Sequence, residues 1–338
     1  MSENNSCCCS SGGCCGEPAI QIVSTKLTFK DICGAWRVRW GIGRADYKID
    51  PGLYAVGTPD KKSPVLVSAN YKLTFDSLRK ELSGINCWIL ILDTKGVNVW
   101  CAAGKGTFGT DELTTRLAET KLTDKVSHKT LILPQLGAVG VNANKVKNQS
   151  GFSVVYGPIR AQDIKAFIKS GYKATKEMRT VKFTMLDRLV LTPMEIVPAA
   201  KKSIIIFGFL FLLNLFSVKP FGIIDFIVYA GAVFVGTFIT PLLLPFIPGR
   251  AFSFKGGSLG LLWAIFVVWR GCFDLLSAIG YIFVLPSISA YLTMNFTGAS
   301  TYTSPSGVLK EMKFTLPFII CASVIGTILI LINRILGI

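Results

Sequence analysis

Cys87–Leu117 reads "CWILILDTKGVNVWCAAGKGTFGTDELTTRL". The first six residues form an apolar run that stops at Asp93, the pattern of a buried strand. "TKG" is a turn signal. From Thr110 the pattern changes to a helical one, with Leu113 and Leu117 at i and i+4 and Asp111 and Glu112 suited to the positive helix start. A strand thus leads into a helix through "NVWCAAGK", Asn98–Lys105, where a lone Cys stands between a Trp and two Ala residues.

The same alternation extends outward. "LYAVG", "PVLVS", "KTLIL" and "FSVVYG" are further short apolar runs bounded by Gly, Pro or charge, beginning at Leu53, Pro64, Lys129 and Phe152. Between them, "TFDSLRKELSG" places Leu78 and Leu82 on one helical face, and "AQDIKAFIKSG" does so with Ile164 and Ile168. Thr74 and Thr110 are the expected N-caps. Strands alternating with helices predict an α/β fold with a mostly parallel sheet covered on both faces. Ligands of such sheets sit beyond the carboxyl ends of the strands, and "NVWCAAGK" lies just past one of them.

The 338 residues are 51% hydrophobic, unevenly distributed. Residues 1–20 are a Cys-rich tail with little to pack. Residues 21–172 read as a cytosolic domain, 173–202 as a linker and 203–338 as an all-α transmembrane domain of five helices. The apolar stretches are 203–218, 222–247, 258–268, 272–294 and 314–336, most near the ~20 residues that cross hydrocarbon; the first and third are short. Arg270 and Asp274 are four apart and are expected to pair. Lys201, Lys202, Arg250, Lys255, Lys310 and Lys313 fall on one side and Lys219, Arg270 and Arg334 on the other. The positive-inside rule therefore puts the N-terminal domain in the cytoplasm and the helices in the inner membrane. Asp225 is the main ionisable residue within the spans, fewer than an ion-coupled transporter needs.

Net charge is +16, mostly in the first 202 residues. Such a balance suits anionic lipid, nucleic acid or an anionic small molecule; beside a membrane half, lipid proximity is the ordinary reading and nucleic acid is not expected. Of ten Cys, five are Cys7, Cys8, Cys9, Cys14 and Cys15. No secretory signal precedes them, so thiols rather than disulfides are expected. His128 is the single His, which excludes His-rich metal sites.

"NVWCAAGK" admits several chemistries. A phosphate loop fails on spacing, because Val99 and Gly106 occupy positions where that motif needs Gly and Ser or Thr. A nucleophilic Cys needs a base, and only His128 is available. Cys101 as a small packing residue is the ordinary reading. Against it, Ala102, Ala103 and Gly104 remove bulk beside the thiol and the helix start favours thiolate. A flat face with a soft ligand suits a planar metallocofactor, while Trp100 reads as packing the short helix onto the sheet.

The motif in "NVWCAAGKGTFGTDEL", with "SPVLVSANYKLTFDSLRKEL" and "LILPQLGAVGVN", resembles the cap-helix region of corrinoid proteins of the reductive acetyl-CoA pathway. Its Cys form followed by five spans is similar to the corrinoid proteins of microbial mercury methylation, the HgcA family. The resemblance runs from about Ile32 to the C-terminus. It implies a Rossmann-like corrinoid-binding domain and a corrinoid (cobalamin or another cobamide) as cofactor. Cys101 would then be the lower axial ligand to cobalt, and Asn98, Val99, Trp100, Ala102, Ala103, Gly104 and Lys105 the cap helix under the corrin. Ser68, Asn70 and Thr74 would lie around the cofactor, with Leu133, Gln135, Gly137 and Ala138 as another lining loop. Ser68 stands where many relatives carry Thr.

The implied activity is a corrinoid-dependent methyltransferase that moves a methyl group from methyl-cobamide to Hg(II), forming methylmercury. The methyl must leave with its electrons, directly or as a radical that is then reduced, and a thiolate trans to it donates charge to cobalt. The resemblance also implies a methyltetrahydrofolate-linked donor and a ferredoxin-type iron–sulfur partner (HgcB). The Cys7–Cys15 cluster is expected to capture Hg(II), with zinc or iron binding, or no role, as alternatives. Cys33, Cys87, Cys272 and Cys321 read as packing residues. Three rivals are a membrane-tethered corrinoid methyl carrier with another acceptor, a five-helix transporter with a cytosolic sensor domain, and a Cys-tail metal chaperone.

Overall fold

Six short strands make one sheet: β1 (Gln21–Val23), β2 (Gly52–Val56), β3 (Val65–Ala69), β4 (Cys87–Leu92), β5 (Thr130–Leu133) and β6 (Ser153–Tyr156). They are ordered β1-β2-β4-β3-β5-β6. Only β2 and β4 run antiparallel, Tyr54 opposite Ile89; every other neighbouring pair is parallel. The apolar runs after Leu53 account for β2 to β6. β1 is an addition: three residues at the sheet edge carry no apolar period to read. This computed structural model describes residues 20–271, 273–299 and 305–337. The Cys7–Cys15 cluster and Cys272 lie outside the described residues.

The helices of this part are α1 (Phe29–Arg39), α2 (Lys72–Arg79), α3 (Val99–Lys105), α4 (Thr110–Glu119), α5 (Leu122–Lys125), α6 (Ala143–Ser150) and α7 (Ile164–Lys169). β3 and β4 are buried along their whole length, which is why they read as unbroken apolar runs. Their side chains alternate between two cores. Val65, Val67, Trp88, Leu90 and Leu92 pack with Ala102, Ala103, Leu113, Leu117 and Val146 from α3, α4 and α6. Leu66, Ile89 and Ile91 pack with Phe75, Leu82, Ile164 and Phe167 on the opposite face. Each buried aliphatic or aromatic side chain contributes roughly 1.5–3 kcal/mol.

Neither expected Thr cap forms. Gly109 occupies the N-cap of α4, and Thr110 is its first helical residue. The Thr110 hydroxyl instead accepts the backbone N–H of Asn142 at 2.9 Å. Tyr71 precedes α2, so Thr74 falls inside the first turn. A tertiary hydrogen bond and the strand-end geometry override the local preference.

The chain divides into two compact units, one comprising residues through Gly34 with Ala45–Thr180, the other Ala35–Arg44 with Val181 onward. The second contains α8 (Met185–Leu191), α9 (Pro193–Leu213), α10 (Ile223–Phe234), α11 (Thr240–Leu243), α12 (Phe252–Arg270), α13 (Leu275–Asn295) and α14 (Pro305–Leu336). A π-helical segment, Val235–Ile239, joins α10 to α11. Five helical segments, Met185–Phe216, Ile223–Leu243, Phe252–Arg270, Leu275–Asn295 and Ser306–Leu336, are long and apolar enough to cross a membrane. The third is not short: the helix takes in Phe252–Gly257, whose Ser, Lys and Gly residues hide it from a purely apolar reading.

Small residues set the helix contacts. A methyl on Gly260 would stand 2.7 Å from Ser289 Cβ, and one on Gly326 2.7 Å from the Gly280 carbonyl oxygen. The expected Arg270–Asp274 pair is not made. A backbone break at Gly271 ends α12, and Asp274 pairs with Lys219 at 2.8 Å, while Arg270 lies over the Trp269 ring.

Candidate functional site: the strand-end crevice around Cys101

β4 and β5 flank β3 on opposite sides, so the connections leaving β3 and β4 turn to opposite faces of the sheet. A crevice opens at such a point, beyond the strand carboxyl ends. α3 stands there. Asn98 caps it, its Oδ1 accepting the backbone N–H of Cys101 at 2.9 Å, and Gly106 ends it in the left-handed conformation, φ 82°.

The helix has two faces. Val99, Ala102 and Ala103 are buried, while the Cys101 thiol is exposed. Trp100 is 43% exposed and does not pack onto the sheet. The expected roles therefore exchange. The Ala pair is small so that α3 can sit close to the sheet, not to leave a flat outer face; the helical period puts residues 99, 102 and 103 inward and 100, 101 and 104 outward. A methyl added to Gly104 would meet nothing within 4 Å, so the outer face is open there.

Asn70, 2% exposed, orders the approach to this helix. Its Oδ1 accepts the N–H groups of Thr94 at 3.1 Å and Gly96 at 3.0 Å, and its Nδ2 donates to Asp93 Oδ1 at 2.9 Å. The Thr94 hydroxyl donates to the Val97 carbonyl oxygen at 2.7 Å. The Lys95 ammonium bonded to Asp93 holds that carboxyl below its ordinary range, with the Lys95 N–H and Asn70 bonds adding to it. Thr94, Gly96 and Asp93 were invisible to motif reading; the "DTKG" turn after a strand was the only signal.

The loop after β5 closes the third side. Leu133 is fully buried, and Gln135–Gly137 forms a single 3-10 turn followed by Ala138. A methyl on Gly140 would stand 2.1 Å from the Phe108 carbonyl oxygen and 3.0 Å from Ala103 Cα. Gly137 is equally hemmed in by the Phe108 ring, at 2.6 Å. Gln135 Oε1 is buried without a hydrogen-bond partner, an unmet acceptor at the strand ends.

The residues singled out in sequence thus gather at one end of the sheet, in three connected loops. They do not all face the crevice: Ser68 and Asn70 are buried at 3% and 2% exposure, and Thr74 lies in α2. His128 is not a base for Cys101. Its Nδ1 accepts from Thr130 N at 3.2 Å, so Nε2 carries the proton and donates to the Ser63 carbonyl oxygen at 2.9 Å. Of the remaining cysteines, Cys87 is buried and its thiol is pushed up to about 12 by desolvation. Cys33 is half-buried and Cys321 is exposed on α14, so neither is a core packing residue. Among the described residues no group of three or more His, Cys, Asp or Glu is placed to hold a metal ion.

Residues 43–168 match the family described as CO dehydrogenase/acetyl-CoA synthase delta subunit, CdhD. That similarity, over residues 43–168, defines the CdhD-type region. The matched span carries β2 to β6 and the whole crevice. The CdhD-type region is 32% identical over 128 residues to an acetyl-CoA decarbonylase/synthase complex subunit gamma of Methanopyrus kandleri, covering 37% of this chain and 27% of that protein. The corresponding subunit of Methanocaldococcus jannaschii is 31% identical over 139 residues, 40% of this chain and 28% of the relative. A corrinoid/iron-sulfur protein large subunit of Moorella thermoacetica is 30% identical over 125 residues, 36% and 28%. The chain spans little more than a quarter of the length of these relatives.

Proposed function

We propose that the CdhD-type region binds a corrinoid at the Cys101 crevice and that the protein is a corrinoid-dependent methyltransferase whose methyl acceptor is Hg(II). One observation carries the reading. In a domain similar to a corrinoid/iron-sulfur subunit, the outer face of α3 presents an exposed soft ligand, Cys101, beside the open position at Gly104. The donor set fits the cofactor. A thiolate is a soft, electron-donating ligand that would suit cobalt, Gly104 leaves room for a flat ring, and Gln135 Oε1 is an acceptor waiting for a donor such as a corrin side-chain amide.

Bound there, the corrinoid supplies a methyl group carried on cobalt. The chain's own residues do the rest. Cys101 would hold the cobalt through its thiolate, and Asn98 and Gly106 fix the helix that carries it. Asn70 holds the preceding turn rigid, as a preorganised site requires. Hg(II) is an electrophile, so a donor that pushes electron density toward the methyl suits it better than a neutral base. Regeneration needs an electron source and a methyl source. An iron–sulfur partner and a methyltetrahydrofolate-linked donor fill those roles, in keeping with relatives named as subunits of a complex and as a corrinoid/iron-sulfur protein. In the same reading the five apolar helices, long enough to cross a membrane, hold the protein in the cytoplasmic membrane with the CdhD-type region on the cytoplasmic side.

The test is anaerobic reconstitution of the full chain with a cobamide, wild type beside Cys101→Ala, read by visible absorption. Stoichiometric cofactor with a spectrum altered by Cys101→Ala supports the ligand role, and methylmercury formation from Hg(II) then tests the acceptor. Identical spectra remove Cys101 as ligand. A bound cofactor that never methylates Hg(II) leaves a membrane-tethered methyl carrier for another acceptor. A folded chain that takes up no cobamide overturns the proposal.

A further inference from the structure

α1 carries an unpartnered apolar face that the corrinoid reading does not use. At about 100° per residue, Phe29, Ile32, Trp36 and Trp40 fall on one side of the helix. Trp40 continues the helical pattern, its N–H donating to the Trp36 carbonyl oxygen at 3.1 Å. All four are exposed: Phe29 81%, Ile32 45%, Trp36 62% and Trp40 42%. Lys30 and Arg37 border this stripe on one flank and Arg39 on the other. The opposite side packs: Val38 is buried, Gly34 has no room for a methyl beside the Tyr47 ring, and Asp31 is bonded to Lys72 and Arg79. The exposed side is therefore a defined strip, aromatic in the middle and cationic at both edges.

We infer that Ala35–Arg44, the second half of α1 and the turn after it, is an interfacial anchor, lying in the plane of the bilayer surface with Trp36, Trp40 and Ile42 at the acyl boundary and Arg37 and Arg39 among anionic headgroups. The inference rests on the reading that the five apolar helices cross a bilayer. Three observations favour lipid over another occupant. Trp at the centre of the stripe with basic residues at its edges is the side-chain order that suits the headgroup boundary. The basic edges match the sign of anionic lipid. Ala35–Arg44 belongs to the same compact unit as the spanning helices, with Arg44 donating to the Met194 sulfur at the start of α9. Ile42, 54% exposed in the turn between Gly41 and Gly43, extends the apolar surface.

The test uses the full chain in nanodiscs of phosphatidylcholine alone or with phosphatidylglycerol, containing lipids brominated either near the headgroup or deep in the acyl chain. Bromine quenches Trp fluorescence on contact. Trp36 and Trp40 are two of six tryptophans, so Trp36→Phe/Trp40→Phe should remove up to about one third of the emission, and that share should be the part quenched by shallow bromine. Arg37→Glu/Arg39→Glu should abolish the extra shallow quenching that phosphatidylglycerol produces. Trp263, near the middle of α12, serves as the internal reference, quenched by deep bromine. If it is quenched while Trp36 and Trp40 are not, the anchor is wrong and the spans stand; shielding of Trp36 and Trp40 only when another protein is added likewise overturns it in favour of a protein partner. If Trp263 also escapes the deep quencher, the membrane reading itself has failed.

Discussion

Asn98 Oδ1 accepts the backbone N–H of Cys101 at 2.9 Å. The residue that starts α3 thus also fixes the backbone of the residue that offers the thiol. Asn98→Ala removes a cap worth about 1 kcal/mol. If that loss falls on the bound geometry, cobamide affinity falls about fivefold. Asn98→Asp keeps an acceptor and should retain most of the affinity. Anaerobic titration of the two variants decides between a positioning role and none; equal affinities would remove it.

Two glycines at the crevice should respond in opposite ways. Gly140→Ala forces a methyl against the Phe108 carbonyl oxygen and Ala103 Cα, so the loop after β5 must leave α3. Overpacking of this kind costs about 1–3 kcal/mol, and both stability and cofactor binding should fall. Gly104→Ala meets open space and gains helix propensity, about 1 kcal/mol. Its thermal midpoint should rise or hold while cobamide binding weakens, because the methyl occupies the surface proposed to face the ring. A Gly104→Ala variant that binds cobamide as tightly as wild type would place the ring elsewhere.

Asp31 ties α1 to α2, accepting from Lys72 and from Arg79 at 2.8 Å. Burial works against its charge, yet hydrogen bonds from Lys72, Thr28 and Arg79 outweigh it and hold the carboxyl well below the ordinary range. A depressed folded-state value adds stability above the unfolded value of about 4 and loses it as pH falls through the folded one. Asp31→Asn should therefore be less stable at pH 7 and show a smaller further loss below about pH 4. Thermal unfolding of the full chain in detergent at several pH values checks it; parallel profiles for variant and wild type would show that Asp31 contributes nothing to the acid limb.

The sheet was legible because β3 and β4 are central and buried on both faces, so hydrophobicity alone marks them. β1 was not, since a three-residue edge strand is set by pairing with β2 rather than by its own pattern. Position 101 stood out by its chemistry, but the facing of α3 did not: a seven-residue helix is too short for a reliable period, and Trp100 looked like a core residue until the backbone showed which side meets the sheet. Asn70 illustrates the harder case. It was singled out as a cofactor neighbour, yet its side chain is spent on Asp93, Thr94 and Gly96, contacts across more than twenty residues that no local spacing encodes.

The unit of apolar helices offers its own test at Asp225. Its Oδ1 accepts from the Tyr281 hydroxyl and the Arg334 guanidinium, and its Oδ2 from the Gly222 N–H at 2.8 Å. The carboxylate therefore joins α10, α13 and α14, with Arg334 lying over the Phe221 ring. Removing one partner strands the other: Asp225→Ala should cost about 3–5 kcal/mol because Arg334 is left uncompensated. Tyr281→Phe should cost about 1 kcal/mol, one hydrogen bond with the ring kept. Asp225→Leu/Arg334→Met, which removes both charges and keeps volume, should recover most of the loss. Thermal unfolding in detergent of this double variant beside Asp225→Leu and Arg334→Met alone would give the coupling. Additive losses would mean that the two residues do not depend on each other, and that small-residue packing between α13 and α14 holds that end of the unit together without them.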